Sequence, residues 1–195
     1  MLFYKDLQDF KQNNPNLFKN HNASIIKLDG NEGRDCIIEF KQPDTNAGKM
    51  TFTYIDGVLS ISGDYGYAMF DWYNKNNHIL VYPTFTNLGY VLEKCRASED
   101  YYKFDEDLFF NNFREWRKQL VEDGYIESVD EIEEPFGMES SCDARVFFND
   151  LEGKISDLWE HGVYDFGRYI NERPFIWWHG LQIALEKLEQ QGVFS

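Results

Sequence analysis

After Pro83 the hydrophobic period of this chain changes from two to 3.6. Period two puts alternate side chains on opposite faces of a strand, whereas period 3.6 gathers them into one stripe along a helix. A chain that reads strands first and helices afterwards folds as α+β, with the sheet covered on one face by helices. Before the change, a first strand is expected at Ala23–Leu28 and a second at Cys36-Ile37-Ile38-Glu39-Phe40. Met50, Phe52 and Tyr54 alternate with Thr51, Thr53 and Ile55, and Asp56-Gly57 is a tight-turn dipeptide leading into Val58, Leu59 and Ile61. Gly63-Asp64-Tyr65-Gly66 marks a further turn before the alternation Tyr67 to Trp72. Together these predict an antiparallel meander over about 34–73.

Helices are expected on both sides of this block. Phe3, Leu7 and Phe10 repeat at helical spacing over 2–13, and Asn13-Asn14-Pro15 ends the pattern. Leu88, Val91, Leu92 and Cys95 share one helical face, which makes Cys95 a small core residue. Phe109, Phe113, Trp116 and Leu120 form a second stripe, with Asp105 at the N-cap position. Phe147, Leu151, Ile155 and Leu158 form a third that ends near Gly162, and Trp177, Leu181, Ala184 and Leu188 a fourth between Pro174 and Gly192. The chain therefore reads as one unit over 1–195. A sheet region spans about 23–73 and a helical, acidic region about 84–192, with 122–143 protruding.

Composition narrows the class. Aromatic residues make up 17% of 195, enough apolar surface to offset the entropy of ordering the chain. No run of about 18 apolar residues exists, so no membrane span is expected. Asp6 and Asp9 interrupt the N-terminal region where a signal peptide needs an apolar stretch. Cys36, Cys95 and Cys142 are too few and too dispersed for a disulfide framework. A reduced, cytoplasmic protein is the expectation.

The net charge of −15 is unevenly distributed. Residues 1–97 carry 10 Lys+Arg against 11 Asp+Glu, while residues 98–195 carry 9 against 23. Between Glu122 and Asp143 there are nine acids (Glu122, Asp123, Glu127, Asp130, Glu131, Glu133, Glu134, Glu139 and Asp143) and no Lys or Arg. Phosphate neutralisation needs the opposite sign, so direct nucleic-acid binding is disfavoured, and so is an anionic membrane surface. One reading of the tract is a solvated surface that keeps the chain soluble. The other is a docking surface for a basic groove, in which charge complementarity steers association. Trp116, Tyr125 and Phe136 flank or interrupt the tract and are the aromatic anchors expected of an interface. Converting Glu131, Glu133 and Glu134 to Lys is then expected to abolish binding without unfolding the protein.

Motifs for catalysis are sparse. The sequence holds no P-loop, GxGxxG, HExxH or nucleophile elbow. Gly63-Asp64-Tyr65-Gly66 lies between strand patterns and reads as a hairpin turn rather than a phosphate cradle. His21, His78, His161 and His179 show no metal-ligand spacing, and His179 is expected to be a packed histidine with a hydrogen-bond partner. Glu99-Asp100 and Asp105-Glu106-Asp107 offer carboxylates to a hard cation, although capping explains Asp105 better. No cofactor or metal is expected.

The run Leu59-Ser60-Ile61-Ser62-Gly63-Asp64-Tyr65-Gly66-Tyr67-Ala68-Met69-Phe70-Asp71-Trp72 is followed by Leu88 to Ser98 and by Tyr102-Lys103-Phe104-Asp105. Over about residues 50–107 this set resembles a family of small proteins encoded by phages and prophages. The resemblance implies a mobile-element accessory protein, and some acidic phage proteins of this size are anti-CRISPR proteins that block the basic nucleic-acid channels of host effectors. It implies a partner that is a basic host protein or ribonucleoprotein such as a CRISPR–Cas effector. The shared residues read as scaffold, which leaves the segment after Asp107 to carry function. Two alternatives stand beside this reading: a metal-dependent hydrolase or nuclease using the acidic clusters, and a non-enzymatic phage regulatory or structural protein.

Overall fold

The computed structural model describes residues 4, 6–29, 35–72, 78–80, 87–98, 101–152, 155 and 162–194. They pack as two compact units, 1–101 with 171–195 and 102–170. The first holds α1 (Leu7–Asn13), β1 (Asn22–Asp29), β2 (Asp35–Lys41), β3 (Met50–Ile55), β4 (Val58–Gly63), β5 (Ala68–Asp71), α2 (Leu88–Glu93), β6 (Cys95–Ser98) and α5 (Glu172–Gln190). The second holds β7 (Tyr102–Phe104), α3 (Glu106–Glu122), α4 (Ser141–Leu151), β8 (Arg168–Ile170) and, among the described residues, two single 3₁₀ turns. Asn171 N–H donates to the Tyr101 carbonyl at 2.8 Å, so the ends of the inserted segment emerge side by side.

The six strands of the first unit lie in chain order, every pair antiparallel, and the protein is α+β. Period two fixes the register: Cys36, Tyr54, Leu59 and Phe70 stand opposite one another across the sheet, as do Ile38, Phe52, Ile61 and Ala68. All eight are buried, whereas their neighbours in sequence are half-buried or exposed. Asp56 and Gly57 both have positive φ, 47° and 79°, the two-residue hairpin geometry that matches strand twist.

Gly63 has φ 140°, and a Cβ there would overlap the Lys49 carbonyl, so the start of the Gly63-Asp64-Tyr65-Gly66 turn admits only glycine. The turn is held on both sides. Asp64 Oδ2 accepts from Gly48 N–H at 2.7 Å, and the Tyr65 carbonyl accepts from Trp177 Nε1 at 2.8 Å.

That last bond ties α5 to the sheet. The helix buries Phe175, Trp177, Trp178, Leu181, Ala184, Leu185 and Leu188. Gly180 lets it approach closely, since a Cβ there would collide with Met50 Cε. On α1, Phe10 stacks on Phe175 at 5.5 Å, so α5 is enclosed from a second side, which is why apolar residues run nearly around it.

Two helices differ from the sequence expectation. The helix begun at Leu88 stops at Glu93, and Cys95 lies in β6 opposite Phe70, half-buried rather than in a helical core face. A six-residue helix is intrinsically marginal, and β6 covers the β5 edge, which would otherwise be bare. The third stripe is also shifted. Ser140 caps a helix that ends at Leu151, and Phe148, not Phe147, is fully buried beside Ala144 and Leu151. Leu158 lies outside the described residues.

Among the described residues, no helix is long and apolar enough to cross a membrane.

Candidate functional site

The second unit spans 69 residues with 18 Asp+Glu against 7 Lys+Arg. Its core is aromatic. Asp105 Oδ1 accepts from Leu108 N–H at 2.8 Å to start α3, and Phe109, Phe113, Trp116 and Leu120 follow on the helix's buried stripe. Trp116 is 6% exposed and packs edge-on against Phe148 at 5.6 Å, so it belongs to this core. The sequence reading that made Trp116 a partner contact is corrected: the helical period that identifies its stripe also turns it inward.

The chain leaves α3 through a Schellman cap. Tyr125 N–H donates to the Leu120 carbonyl at 2.9 Å and Gly124 N–H to the Val121 carbonyl at 3.1 Å, with Gly124 at φ 76°. Asp123 accepts from the Gln119 amide, and Glu122 is exposed. The next segment, 125–140, is a strap laid over the core. Ile132, Pro135 and Met138 are buried, and Ile132 and Met138 join the cluster of Phe109, Phe113 and Phe148.

Two arginines on α3 clamp the strap. Arg117 donates through Nη1 to the Ile132 carbonyl at 2.8 Å and through Nη2 to Glu134 Oε1 at 2.9 Å, while its guanidinium lies over Phe113. Arg114 adds a second fork to Glu134, Nε to Oε1 at 2.8 Å and Nη2 to Oε2 at 3.3 Å. The Arg114 hydrogen bond holds the Glu134 carboxyl below the ordinary glutamate range. Glu131 is also committed locally. Its Oε1 accepts from Glu127 N–H at 2.6 Å and Ser128 N–H at 3.0 Å, closing a capping box with Ser128.

The nine acids of the tract therefore divide by role. Glu134 and Glu131 fix the backbone, and Asp143 accepts from the Ser140 hydroxyl at 2.7 Å in the α4 cap. Glu122, Asp123, Glu127, Asp130, Glu133 and Glu139 are exposed, and among the described residues none of these six has a cationic partner. The proposed Glu131/Glu133/Glu134 charge reversal would consequently remove the strap's own fastenings, so it does not isolate binding from folding.

Amid these carboxylates stands Phe136, with its side chain 100% exposed. Its neighbours Pro135 and Met138 are buried and Gly137 turns the chain with φ 70°, so Phe136 is presented outward by an anchored turn. Tyr125 is 57% exposed at the other end of the strap. Arg114, Arg117, Pro135 and Met138 are the residues that sequence reasoning passed over. Their signal was present, because Arg114 and Arg117 at i, i+3 are cations beside a cation-free acidic tract.

Elsewhere, Glu99, Asp100 and His161 lie outside the described residues. Among the described residues, no group of three or more His, Cys, Asp or Glu side chains could hold a metal ion. Comparison with family models, with curated proteins and with solved structures gives no match, so the phage-family resemblance stands on its quoted residues alone.

Proposed function

We propose that this chain is a binding protein that docks the 122–139 strap onto a basic groove of a nucleic-acid-handling partner and competes there with nucleic acid. The observation that carries the reading is Phe136, a fully exposed aromatic on the strap, in a segment where Glu127, Asp130, Glu133 and Glu139 are exposed and have no cationic partner among the described residues. Leaving such a ring in water forgoes roughly 1.5–3 kcal/mol of burial, which association can recover. The carboxylates supply long-range attraction and reject acidic partners, and Phe136 with Tyr125 supplies desolvated contact. The finer form of the proposal is a phage- or prophage-derived inhibitor of a host defence nuclease, resembling anti-CRISPR proteins. It is supported by the resemblance over 50–107 and by the sign of the charge, since guide- and DNA-binding channels are basic.

The test is capture from host lysate at low and at moderate salt, with Phe136→Ala and the triple variant Glu127→Lys, Asp130→Lys, Glu133→Lys as comparisons. The expected result is a basic nucleic-acid-binding protein, released by salt and lost from both variants, whose nucleic-acid binding the wild-type chain inhibits. Capture unaffected by either variant would remove the strap from the account.

A further inference from the structure

The first unit contains a feature of opposite sign. Lys11 lies in the last turn of α1, Lys19 in the turns that follow, and Lys187 in the last turn of α5. With Phe18, His179 and Ile183 they line a cavity of about 380 Å³, within the size range of small-molecule sites. His179, Ile183 and Lys187 are spaced i, i+4, i+8 along α5 and so form one stripe.

Among the described residues, no carboxylate lines the cavity and none of the three lysines has an ion pair. A helix C-terminus favours a lysine, which accounts for Lys11 and Lys187 separately. It does not account for Lys19, nor for three cations around one cavity in a chain of net charge −15.

Aromatic rings pack along the cavity wall. The His179 ring lies 5.6 Å from Phe18 and edge-on to Phe10 at 6.1 Å, and its Nδ1 is buried without a hydrogen-bond partner. The expected packed histidine is present, but at Nδ1 the expected partner is not. Burial, and then the charge of Lys11, push its pKa down to about 4. His21, in edge contact with Phe18 at 5.0 Å, is lowered by burial and by the charge of Lys187. For both imidazoles burial is the larger effect, and the neighbouring lysine charge acts in the same direction.

We infer that this cavity binds a phosphoryl group, free or carried on a small organic body, with Lys11, Lys19 and Lys187 supplying the charge. Ammonium groups bind phosphate as point charges, and an anion relieves their mutual repulsion. Phe18 and Ile183 give an apolar wall against which an attached body would pack.

Calorimetric titration of the full chain with inorganic phosphate, and separately with AMP, tests the site at low ionic strength. The net negative charge of the protein opposes diffuse anion uptake, so saturable binding reports a local site. The expected result is one-to-one binding, weakened about tenfold or more in the Lys11→Gln/Lys187→Gln variant. Lys41→Gln, whose lysine is already paired with Glu39 at 3.0 Å, leaves it unchanged. Bound phosphate also raises the His179 titration midpoint followed by NMR. Tighter binding of AMP identifies a carried phosphoryl group, and equal binding a free one. Should the double variant melt early, Lys19→Gln, at an exposed position, replaces it. Absence of saturable binding to either probe, equal binding by the lysine variants, or an unmoved His179 midpoint overturns the inference.

Discussion

Phe136 keeps its whole side chain in water although both flanking anchors, Pro135 and Met138, are buried. Because the ring touches nothing that holds the fold together, Phe136→Ala is expected to change stability by no more than about 0.5 kcal/mol while weakening partner binding about tenfold or more. Thermal melts and a binding isotherm on the same preparation check both halves. The histidines behave in the opposite way, acting on stability. His179 is neutral in the folded protein down to about pH 4, whereas the unfolded chain takes up a proton near 6.5. Stability is therefore expected to fall as pH drops from about 6.5 towards 4 and then level for this group, and His21 contributes with the same sign. Below about 4.5 the lowered Glu134 carboxyl adds a further loss. Denaturant midpoints measured across pH should show this slope, and His179→Gln should flatten its upper part. Much of this scale was legible in the sequence. The acids and Phe136 stand together in the sequence, whereas Trp116 is near the tract in sequence but its helical stripe turns it into the core.

At the scale of elements, the strap owes its order to α3. Arg117 satisfies two strap carbonyls, those of Val129 and Ile132, as well as Glu134. Arg117→Ala is expected to cost about 1–3 kcal/mol and to speed amide exchange across 127–138 while leaving the six-stranded sheet protected. Uniform loss of protection would show that the strap is integral to the core instead. Gly63→Ala tests the sheet independently. It must place a Cβ against the Lys49 carbonyl, and it is expected to lower the melting temperature through the β3–β4 end of the meander. The central strands were legible because their alternation and the Asp56-Gly57 turn agree. What was not legible is governed by pairing at a distance. Nothing local in Cys95-Arg96-Ala97-Ser98 says that it completes a sheet edge, and nothing in Tyr102-Lys103-Phe104 says that it meets Arg168-Tyr169-Ile170. Likewise, the adjacent pair Phe147 and Phe148 fits two helical phases; both rings reach Phe113, and packing against Phe109 and Trp116 selects Phe148 as the fully buried one.

For the molecule as a whole, charge is partitioned along with structure. The inserted unit carries 18 acids against 7 bases, and the other unit 16 against 12, with three lysines that have no ion pair among the described residues around one of its cavities. This partition was visible in the sequence as an acidic second half. The return of the chain at Asn171 was not, since no Gly-, Pro- or Ser-rich linker marks either junction. An acidic surface that steers association makes affinity depend steeply on ionic strength, so the association rate should fall with salt while dissociation changes less.

The central claim is that Phe136 and the carboxylates around it form the docking surface. Its most direct test places a photo-crosslinking amino acid at position 136 and, in a second variant, at Ile26, an exposed position of β1 in the other unit. Irradiation in host lysate at low salt should link position 136 to a basic nucleic-acid-binding protein, with the product lost at moderate salt and absent from the Ile26 variant. A partner captured from Ile26 but never from 136, or a product at 136 indifferent to salt, would contradict the account.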